Sequence, residues 1–144
     1  MVEKYKPEDV YITILKEQSQ IYEFNSSNED LNEFLKKDAF GYQKLRLGVT
    51  YLMCNKTTDK VISYLTLAMG SLKIPDKEEF KFRGKRLIDY TKNFSNQFPA
   101  LLIGKLATEQ KEEGKGCAGL LLDYAVKTAI VNFFNGTKIL LRYS

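Results

Sequence analysis

Residues 99–123 read PALLIGKLATEQKEEGKGCAGLLLD, and this segment carries the strongest indication of the fold. It begins with an apolar run over 100–107, passes through a charged turn with glycines at 114 and 116, and ends in an apolar repeat that starts near Ala118. The pattern predicts a strand, a glycine-rich loop and then a helix. A helix N-terminus has backbone N–H groups without internal partners and a positive dipole end, so it suits phosphate groups.

The residues that follow predict a second strand on the far side of this helix. The helix should end near 135–136, and residues 137–143 should form a strand. A strand, a helix and a strand in this order make a βαβ crossover, so strands 100–108 and 137–143 should be parallel neighbours. One face of the helix is predicted to carry Ala118, Leu121, Leu122, Ala125, Ala129 and Phe133.

The N-terminal half predicts antiparallel strands around one amphipathic helix. Residues 9–15 alternate as a strand does, with 20–24 as a continuation, and residues 48–55 and 61–74 predict a hairpin across 56–60. Residues 28 to about 46 predict a helix capped by Ser27 or Asn28. Its apolar positions are Leu31, Phe34, Leu35, Ala39, Tyr42 and Leu45.

Residues 75–97 are rich in charge and predict a long connection with one or two short helices, for which a solvated excursion is the favoured interpretation. The fold class is therefore α/β (α+β), with a mixed central sheet, antiparallel N-terminal strands and one βαβ crossover. No segment repeats internally.

Length, composition and charge limit the kinds of protein that this chain can be. The chain has 144 residues with 44% hydrophobic content, enough for a single domain over 1–144, and a net charge of +4. A mild positive charge suits an anionic ligand or an RNA-like partner but identifies neither, and a Lys-rich solvated surface is the favoured explanation. No membrane span or secretory segment is evident, which predicts a cytoplasmic protein.

The absence of histidine excludes several kinds of site. Ser-His and Cys-His nucleophile pairs and His-based zinc sites all need that side chain. The two cysteines, Cys54 and Cys117, have no metal-ligand spacing and predict no disulfide framework. We therefore expect no metal, and any chemistry must use carboxylates, Tyr, Lys, backbone amides or a bound co-substrate.

The segment quoted first resembles the central signature of the GNAT-type N-acetyltransferase superfamily, enzymes that move an acetyl group from acetyl-CoA to an amine. That signature is a strand ending in Leu-Ala-Val, then a loop of the form Gln/Arg-x-x-Gly-x-Gly/Ala that starts a helix. Here the strand ends in Leu106-Ala107-Thr108, and residues 113–119 read EGKGCAG.

The resemblance extends over most of the chain. Phe24-x-Ser26 followed by Leu31-Asn32-x-Phe34-Leu35 resembles the first helix of a branch that includes acetyltransferase toxins of bacterial toxin–antitoxin pairs. Residues 62–68, ISYLTLA, resemble the third strand of that branch.

The resemblance implies a GNAT-like fold with acetyl-CoA (coenzyme A) as co-substrate. Backbone amides of the loop would wrap the pyrophosphate, and the strand edge at 106–108 would pair with the pantetheine amides. One N–H would stabilise the developing oxyanion, and Lys115 would add charge attraction. The implied cofactor-binding residues are Leu106, Ala107, Thr108, Glu113, Gly114, Lys115, Gly116, Cys117, Ala118 and Gly119.

Two departures accompany the resemblance. The Glu113 carboxylate stands close to the expected pyrophosphate, a repulsion on the order of 1 kcal/mol at a solvated surface unless the side chain turns outward. Family members also continue past the strand at 137–143 with a helix and a strand pair, which often contribute a Tyr that protonates the leaving thiolate. We expect those elements to be missing, which leaves an open strand edge that could pair with a second copy to form a homodimer. A truncated chain or gene explains the short end equally well.

No side chain is assigned as catalytic. Glu109 is considered as a base but is better explained as a turn residue, and Tyr143 and Tyr64 are considered as acids but favoured as packing residues. Cys117 at a helix N-terminus is expected to have a lowered thiol pKa, yet packing is again the favoured interpretation.

The predicted function is acetyl-CoA-dependent transfer of an acetyl group to a primary amine, by direct attack of the amine on the thioester. The acceptor is open, and an aminoacyl-tRNA amine is one alternative. A non-catalytic CoA-binding or interaction module derived from an acetyltransferase is the competing hypothesis, and a nucleic-acid-binding protein is a third.

Overall fold

A computed structural model of the chain describes residues 3–73, 81–82, 85–86, 97–134 and 140–143. The strands are β1 (Val10–Ile14), β2 (Val49–Asn55), β3 (Val61–Lys73), β4 (Lys81–Phe82), β5 (Lys85–Arg86), β6 (Gln97–Thr108) and β7 (Leu140–Tyr143). The helices are α1 (Glu29–Glu33), α2 (Ala39–Lys44) and α3 (Cys117–Phe134). A π-helical turn at Phe34–Asp38 joins α1 to α2, and short 3-10 turns lie at Pro7–Asp9, Gln18–Ile21 and Gln110–Glu112.

The central sheet has the strand order β1-β2-β3-β6-β7. It is antiparallel from β1 to β6, and β2 and β3 form the predicted hairpin. Strand β7 returns through α3 and runs parallel to β6, with Ala100 opposite Leu140 and Ile103 opposite Tyr143. The predicted βαβ crossover and the mixed sheet are therefore confirmed.

The N-terminal helix begins where the sequence predicts. The Asn28 side chain accepts hydrogen bonds from the N–H groups of Asp30 (3.0 Å) and Leu31 (3.3 Å). This side-chain cap satisfies two donors that have no partner within the helix, so Asn28 rather than Ser27 is the cap.

The helix ends at Lys44, slightly earlier than predicted. Arg46 has a φ of +60°, and the Leu47 N–H donates to the Tyr42 carbonyl at 2.9 Å. A left-handed residue followed by this bond is a Schellman motif, which satisfies the last carbonyls of the helix. The motif usually contains glycine, so an arginine in that position gave no stop signal.

The two faces of the sheet have separate cores. Helix α3, 18 residues long, covers one face, and among the described residues no helix is both long and apolar enough to cross a membrane. Helices α1 and α2 cover the other face. The first core contains Val10, Met53, Ile62, Leu65, Leu67, Leu101, Ile103, Cys117, Leu121, Ala125 and Ala129. The second contains Leu15, Ile21, Phe24, Phe34, Leu35, Ala39, Leu52, Cys54, Tyr64 and Ala107.

The prediction that residues 20–24 continue the first strand is wrong. These residues belong to the 3-10 turn at Gln18–Ile21 and the bend after it. The Gln20 side-chain oxygen accepts hydrogen bonds from the N–H groups of Lys16 (2.7 Å) and Glu17 (2.9 Å). Such local bonds to the backbone compete with a strand and close a turn instead.

The predicted connection over 75–97 lies mostly outside the described residues. Its described part is the antiparallel pair β4 and β5, and the one or two helices predicted there fall on residues that are not described. Strand β6 begins at Gln97, a few residues before the predicted strand 100–108. The predicted helix end at 135–136 also lies outside the described residues.

Candidate functional site

Strand β6 carries a bulge at Gly104. In its pairing with β3, Lys105 lies opposite Thr66 and Ile103 lies opposite Leu67, so Gly104 has no partner of its own. A bulge bends its strand and increases the local twist. The described pairing of β7 with β6 extends from Ala100 to Ile103 and ends at this bulge.

Beyond the bulge, the backbone of Leu106 faces an edge of β6 that no described strand covers. The Glu109 N–H donates to the Ile62 carbonyl at 2.8 Å, which makes these two residues a hydrogen-bonded pair across the sheet. Hydrogen-bonded and outward-facing pairs alternate along an antiparallel ladder. The N–H and C=O groups of Leu106 therefore point away from β3 and towards that edge.

The other two residues predicted on this edge are placed differently. The Ala107 carbonyl accepts a hydrogen bond from the Ser63 hydroxyl at 2.7 Å, and the Ala107 side chain is buried in the second core. The Thr108 hydroxyl lies 3.2 Å from the Ser63 hydroxyl. By the same alternation, the backbone groups of both Leu106 and Thr108 face this edge, whereas those of Ala107 face β3. Thr108 lies next to the isolated bridge between Ser26 and Glu109, so Leu106 is the outward-facing residue nearer the bulge.

The glycine loop adopts a conformation that favours glycine. Gly114 has a φ of +82° and Gly116 a φ of +81°. A Cβ at Gly114 would meet nothing within 4 Å, and one at Gly116 would meet only the Lys4 Cδ, at 3.9 Å. The glycines are therefore required by the left-handed backbone rather than by lack of space.

The loop leads directly into the N-terminus of α3. The Leu120 N–H donates to the Gly116 carbonyl at 3.3 Å, which is the first turn of that helix. The N–H groups of Cys117, Ala118 and Gly119 consequently have no partner four residues earlier within the helix. This is the arrangement that favours an anion.

The Lys115 ammonium is already paired within the protein. It lies 2.7 Å from a Glu112 carboxylate oxygen, and the Tyr5 hydroxyl donates to the same oxygen at 2.9 Å. The hydrogen bond to Glu112 raises the pKa of Lys115. The Tyr5 N–H also donates to the Lys115 carbonyl at 3.0 Å. The side chain of Lys115 thus ties the N-terminal segment to the loop.

Two carboxylates of the loop contact the segment 25–27. The Glu109 carboxylate accepts a hydrogen bond from the Asn25 N–H at 2.8 Å. The Glu113 carboxylate accepts one from the Ser27 hydroxyl at 2.7 Å. These contacts support the interpretation of Glu109 as a turn residue, and they give the Glu113 side chain a partner outside the loop backbone.

Cys117 is a core residue, and the expected lowering of its thiol pKa is wrong. The residue is 2% exposed and packs in the core between α3 and the sheet. Burial, with the nearby Glu112 carboxylate, raises the pKa of the thiol to about 11. Desolvation of the thiolate outweighs the helix dipole here, which confirms packing and disfavours a nucleophile.

We expect the free energy of unfolding to fall as pH rises from about 9 to 11. The folded protein retains the Cys117 proton in this range, whereas an unfolded thiol with the usual pKa of 9.0 loses it. Between pH 9 and pH 11 the free energy of unfolding should fall by about 3 kcal/mol in total from this thiol, and below pH 9 the thiol should have no effect on it. Urea titrations at several pH values measure it. Cys117→Ser should flatten this slope, because the Cys54 contribution is common to both proteins, and an identical slope in both proteins would contradict the assignment.

The two tyrosines considered as acids occupy different places. Tyr64 is fully buried, its hydroxyl donates to the Leu31 carbonyl at 2.8 Å, and burial raises its pKa. It is therefore a packing residue, as favoured by the sequence. The backbone of Tyr143 pairs opposite Ile103, next to the bulge.

A groove opens beside the bulge, on the face covered by α1 and α2. We call it the bulge groove; it is lined by Asp30, Glu33, Phe34, Asp38, Tyr42, Leu47, Gly48, Thr66, Ala68, Leu102, Gly104 and Lys105. Its carboxylates outnumber its one cation, so the groove is acidic. Within the described ranges, no group of three or more Cys, Asp or Glu side chains is arranged to hold a metal ion.

Sequence reasoning missed the bulge. A single glycine inside an apolar strand pattern is a known signal for one, and Gly104 stands within the run 100–107. The contacts of segment 25–27 with the glycine loop had no comparable signal, because they join residues far apart in the sequence.

No protein-family model matches the chain. Among solved structures, AtaT complexed with acetyl-methionyl-tRNAfMet aligns with a TM-score of 0.67 and 20% identity, covering 90% of this chain and 74% of that one. A mutant of the AtaT toxin bound to acetyl-CoA and the C-terminus of the antitoxin AtaR gives a TM-score of 0.65, 20% identity, and coverage of 90% and 71%. A mutant of KacT aligns with a TM-score of 0.65 and 19% identity, covering 83% of this chain and 68% of that one.

At such identities the likeness establishes the fold. The chain has the GNAT-like fold that the sequence predicts, in the form found in the toxins AtaT and KacT.

Proposed function

We propose that this chain is an acetyl-CoA-dependent N-acetyltransferase that acetylates a primary amine. The observation that carries the proposal is that two backbone features follow one another along the chain. The outward-facing edge at Leu106 runs into the turn that leads, through Gly114 and Gly116, to the open N-terminus of α3. The first suits an extended amide chain, and the second suits a diphosphate.

The N-terminus of α3 would hold the pyrophosphate. The N–H groups of Cys117, Ala118 and Gly119 lie in the first turn, where the helix dipole adds positive potential. The left-handed glycines let the backbone approach the phosphates without a side chain between them. Because the Lys115 ammonium is paired with Glu112, the phosphates would be bound mainly by main-chain N–H groups.

The pantetheine arm would lie along β6 beyond the bulge. Its amides can pair with the outward groups of Leu106 as an added strand would, because β7 leaves this part of β6 uncovered among the described residues. The thioester would then lie near the bulge at Gly104. A main-chain N–H at this edge would donate to the carbonyl oxygen as negative charge develops on it.

Transfer needs one bond to form and one to break. The nitrogen of the amine attacks the thioester carbon, the C–N bond forms, the C–S bond breaks, and CoA leaves as a thiolate. The nitrogen loses a proton and the thiolate gains one, so the reaction balances without any further reactant.

The bulge groove would admit the acceptor, because it opens at Gly104, where the thioester is expected. Its carboxylates at Asp30 and Asp38 favour a positively charged amine, whereas Glu33 is paired with Lys37 at 2.8 Å. An amine must be neutral to attack, and an α-amine has a pKa of about 8, against about 10.4 for a lysine side chain. An α-amine is therefore the favoured acceptor. Since AtaT has been seen with acetyl-methionyl-tRNAfMet, aminoacyl-tRNA is the first acceptor to test.

Two measurements test the proposal. Calorimetry with acetyl-CoA measures binding, and release of free thiol measures turnover with aminoacyl-tRNA, amino acid esters and lysine analogues. We expect binding in the micromolar range, and thiol release that is faster with α-amines than with lysine analogues at pH 7.5.

The outcomes separate the competing hypotheses. Binding of acetyl-CoA without turnover on any amine would support the non-catalytic module. Failure to bind acetyl-CoA at millimolar concentration would contradict both. Tight, salt-dependent affinity for RNA with no affinity for acetyl-CoA would favour the nucleic-acid-binding alternative.

A further inference from the structure

A buried polar cluster lies between α1 and the glycine loop. Asn32 is 2% exposed and Ser26 is 7% exposed. The Asn32 side-chain oxygen accepts hydrogen bonds from the Ser26 N–H (2.7 Å) and the Ser26 hydroxyl (2.8 Å). The Asn32 amide nitrogen donates to the Ser26 carbonyl (3.0 Å) and to the Asn25 side-chain oxygen (2.9 Å). One buried amide thus sets the conformation of the segment 25–26.

That segment in turn contacts both ends of the turn that leads into the glycine loop. At the first end, the Gln110 N–H donates to the Asn25 carbonyl at 2.9 Å, and the Asn25 N–H donates to the Glu109 carboxylate at 2.8 Å. Ser26 and Glu109 also form an isolated antiparallel bridge. At the second end, the Ser27 hydroxyl donates to the Glu113 carboxylate at 2.7 Å.

These contacts connect Asn32 to the glycine loop through segment 25–27. Asn32 touches no residue of the turn itself in any of these hydrogen bonds. Its bonds hold segment 25–27, and that segment holds residues 109–113, immediately before Gly114. A buried side chain whose hydrogen bonds are all satisfied imposes one geometry, because any shift would leave a polar group unpaired.

We infer that Asn32 and Ser26 are positioning residues that set the shape of the glycine loop through segment 25–27. They would hold the loop in the conformation that presents the N-terminus of α3 to a diphosphate. The part of this inference that concerns acetyl-CoA rests on the proposed function. The part that concerns loop order does not.

Hydrogen exchange of two neighbouring amides tests loop order in the free protein. Asn32→Ala should accelerate exchange at Gln110 about tenfold or more, because its acceptor, the Asn25 carbonyl, is no longer held. Exchange at Glu109 should stay slow, since that N–H donates to the Ile62 carbonyl within the sheet. Unchanged exchange at Gln110 in a folded Asn32→Ala protein would overturn the inference.

Steady-state kinetics with acetyl-CoA and the best acceptor test the consequence. Asn32→Ala should raise the KM for acetyl-CoA about tenfold and change kcat less than about twofold, because positioning of the phosphate site affects binding. A fall in kcat at unchanged KM would overturn the inference. If the wild-type protein does not bind acetyl-CoA, the proposed function fails, whereas exchange at Gln110 still decides the role of Asn32.

Two further variants guard against a trivial explanation. Ser27→Ala lies at an exposed position, removes only the bond to Glu113, and should raise the KM about threefold in a fully folded protein. Tyr64→Phe removes a buried hydrogen bond to the Leu31 carbonyl but none to the loop. It should lower stability and leave both the KM and the exchange at Gln110 unchanged. A rise in KM for Tyr64→Phe equal to that for Asn32→Ala would show a merely structural effect and overturn the inference.

Discussion

Replacement of both Gly114 and Gly116 by alanine should weaken acetyl-CoA binding about a hundredfold. Each residue has a φ near +80°, and a non-glycine residue there costs about 1–2 kcal/mol. The two costs together favour other loop conformations, in which the backbone N–H groups no longer converge on the pyrophosphate. A loss of about 2.7 kcal/mol in the binding-competent conformation corresponds to two orders of magnitude in Kd. Calorimetric titration with acetyl-CoA measures it.

A matched variant separates the loop from glycine replacement in general. Gly41 lies exposed in α2, and a Cβ there would meet nothing within 4 Å. Gly41→Ala should stabilise the protein by about 0.5–1 kcal/mol, because glycine is a poor helix former, and it should leave the Kd unchanged. Wild-type affinity in the double glycine variant would show that the loop is only a turn between strand and helix.

Truncation of Leu121 to alanine should lower the free energy of unfolding by about 2–5 kcal/mol. Leu121 is fully buried in the core that α3 forms with the sheet. The change removes apolar contact and leaves a cavity that the close-packed surroundings fill only in part. Natural domains have only about 5–15 kcal/mol of stability, so the variant should be partly unfolded at moderate urea concentration.

The same helix supplies the control for this experiment. Val126 is 43% exposed, so Val126→Ala should cost less than about 1 kcal/mol. Equal costs for Leu121→Ala and Val126→Ala in urea titrations would contradict the assignment of the buried face. Since α3 also carries the proposed phosphate site, saturating acetyl-CoA should restore part of the stability lost in Leu121→Ala.

Much of the architecture could be predicted from local sequence patterns. The hairpin between β2 and β3, the helix capped by Asn28 and the crossover through α3 each follow from neighbouring residues in the chain. The glycine loop belongs in this group, because a run of charge with Gly114 and Gly116 already predicts a turn before a helix. Short-range sterics and hydrogen bonding determine such features, and they are read from a few consecutive residues.

Some predictions failed because a distant or competing contact outweighed the local pattern. The helix dipole predicts a low thiol pKa at Cys117, but the sheet beneath α3 buries that thiol and raises its pKa. Lys115 was expected to attract phosphate, yet its ammonium is paired with Glu112, which also binds Tyr5 from the far end of the chain. The strand predicted at residues 20–24 does not form, because the Gln20 side chain accepts a hydrogen bond from the backbone and closes a turn.

Which elements form, and that a glycine loop begins a helix, can be read from the sequence alone, because these features depend on residues a few positions apart. The shape of the candidate site is set by packing across the whole fold. The bulge at Gly104 depends on the register between β3 and β6, and the anchoring of the loop depends on Asn25 and Ser27 reaching Glu109 and Glu113. Such contacts form only when packing of the whole chain brings distant segments together, and no local pattern encodes that distance.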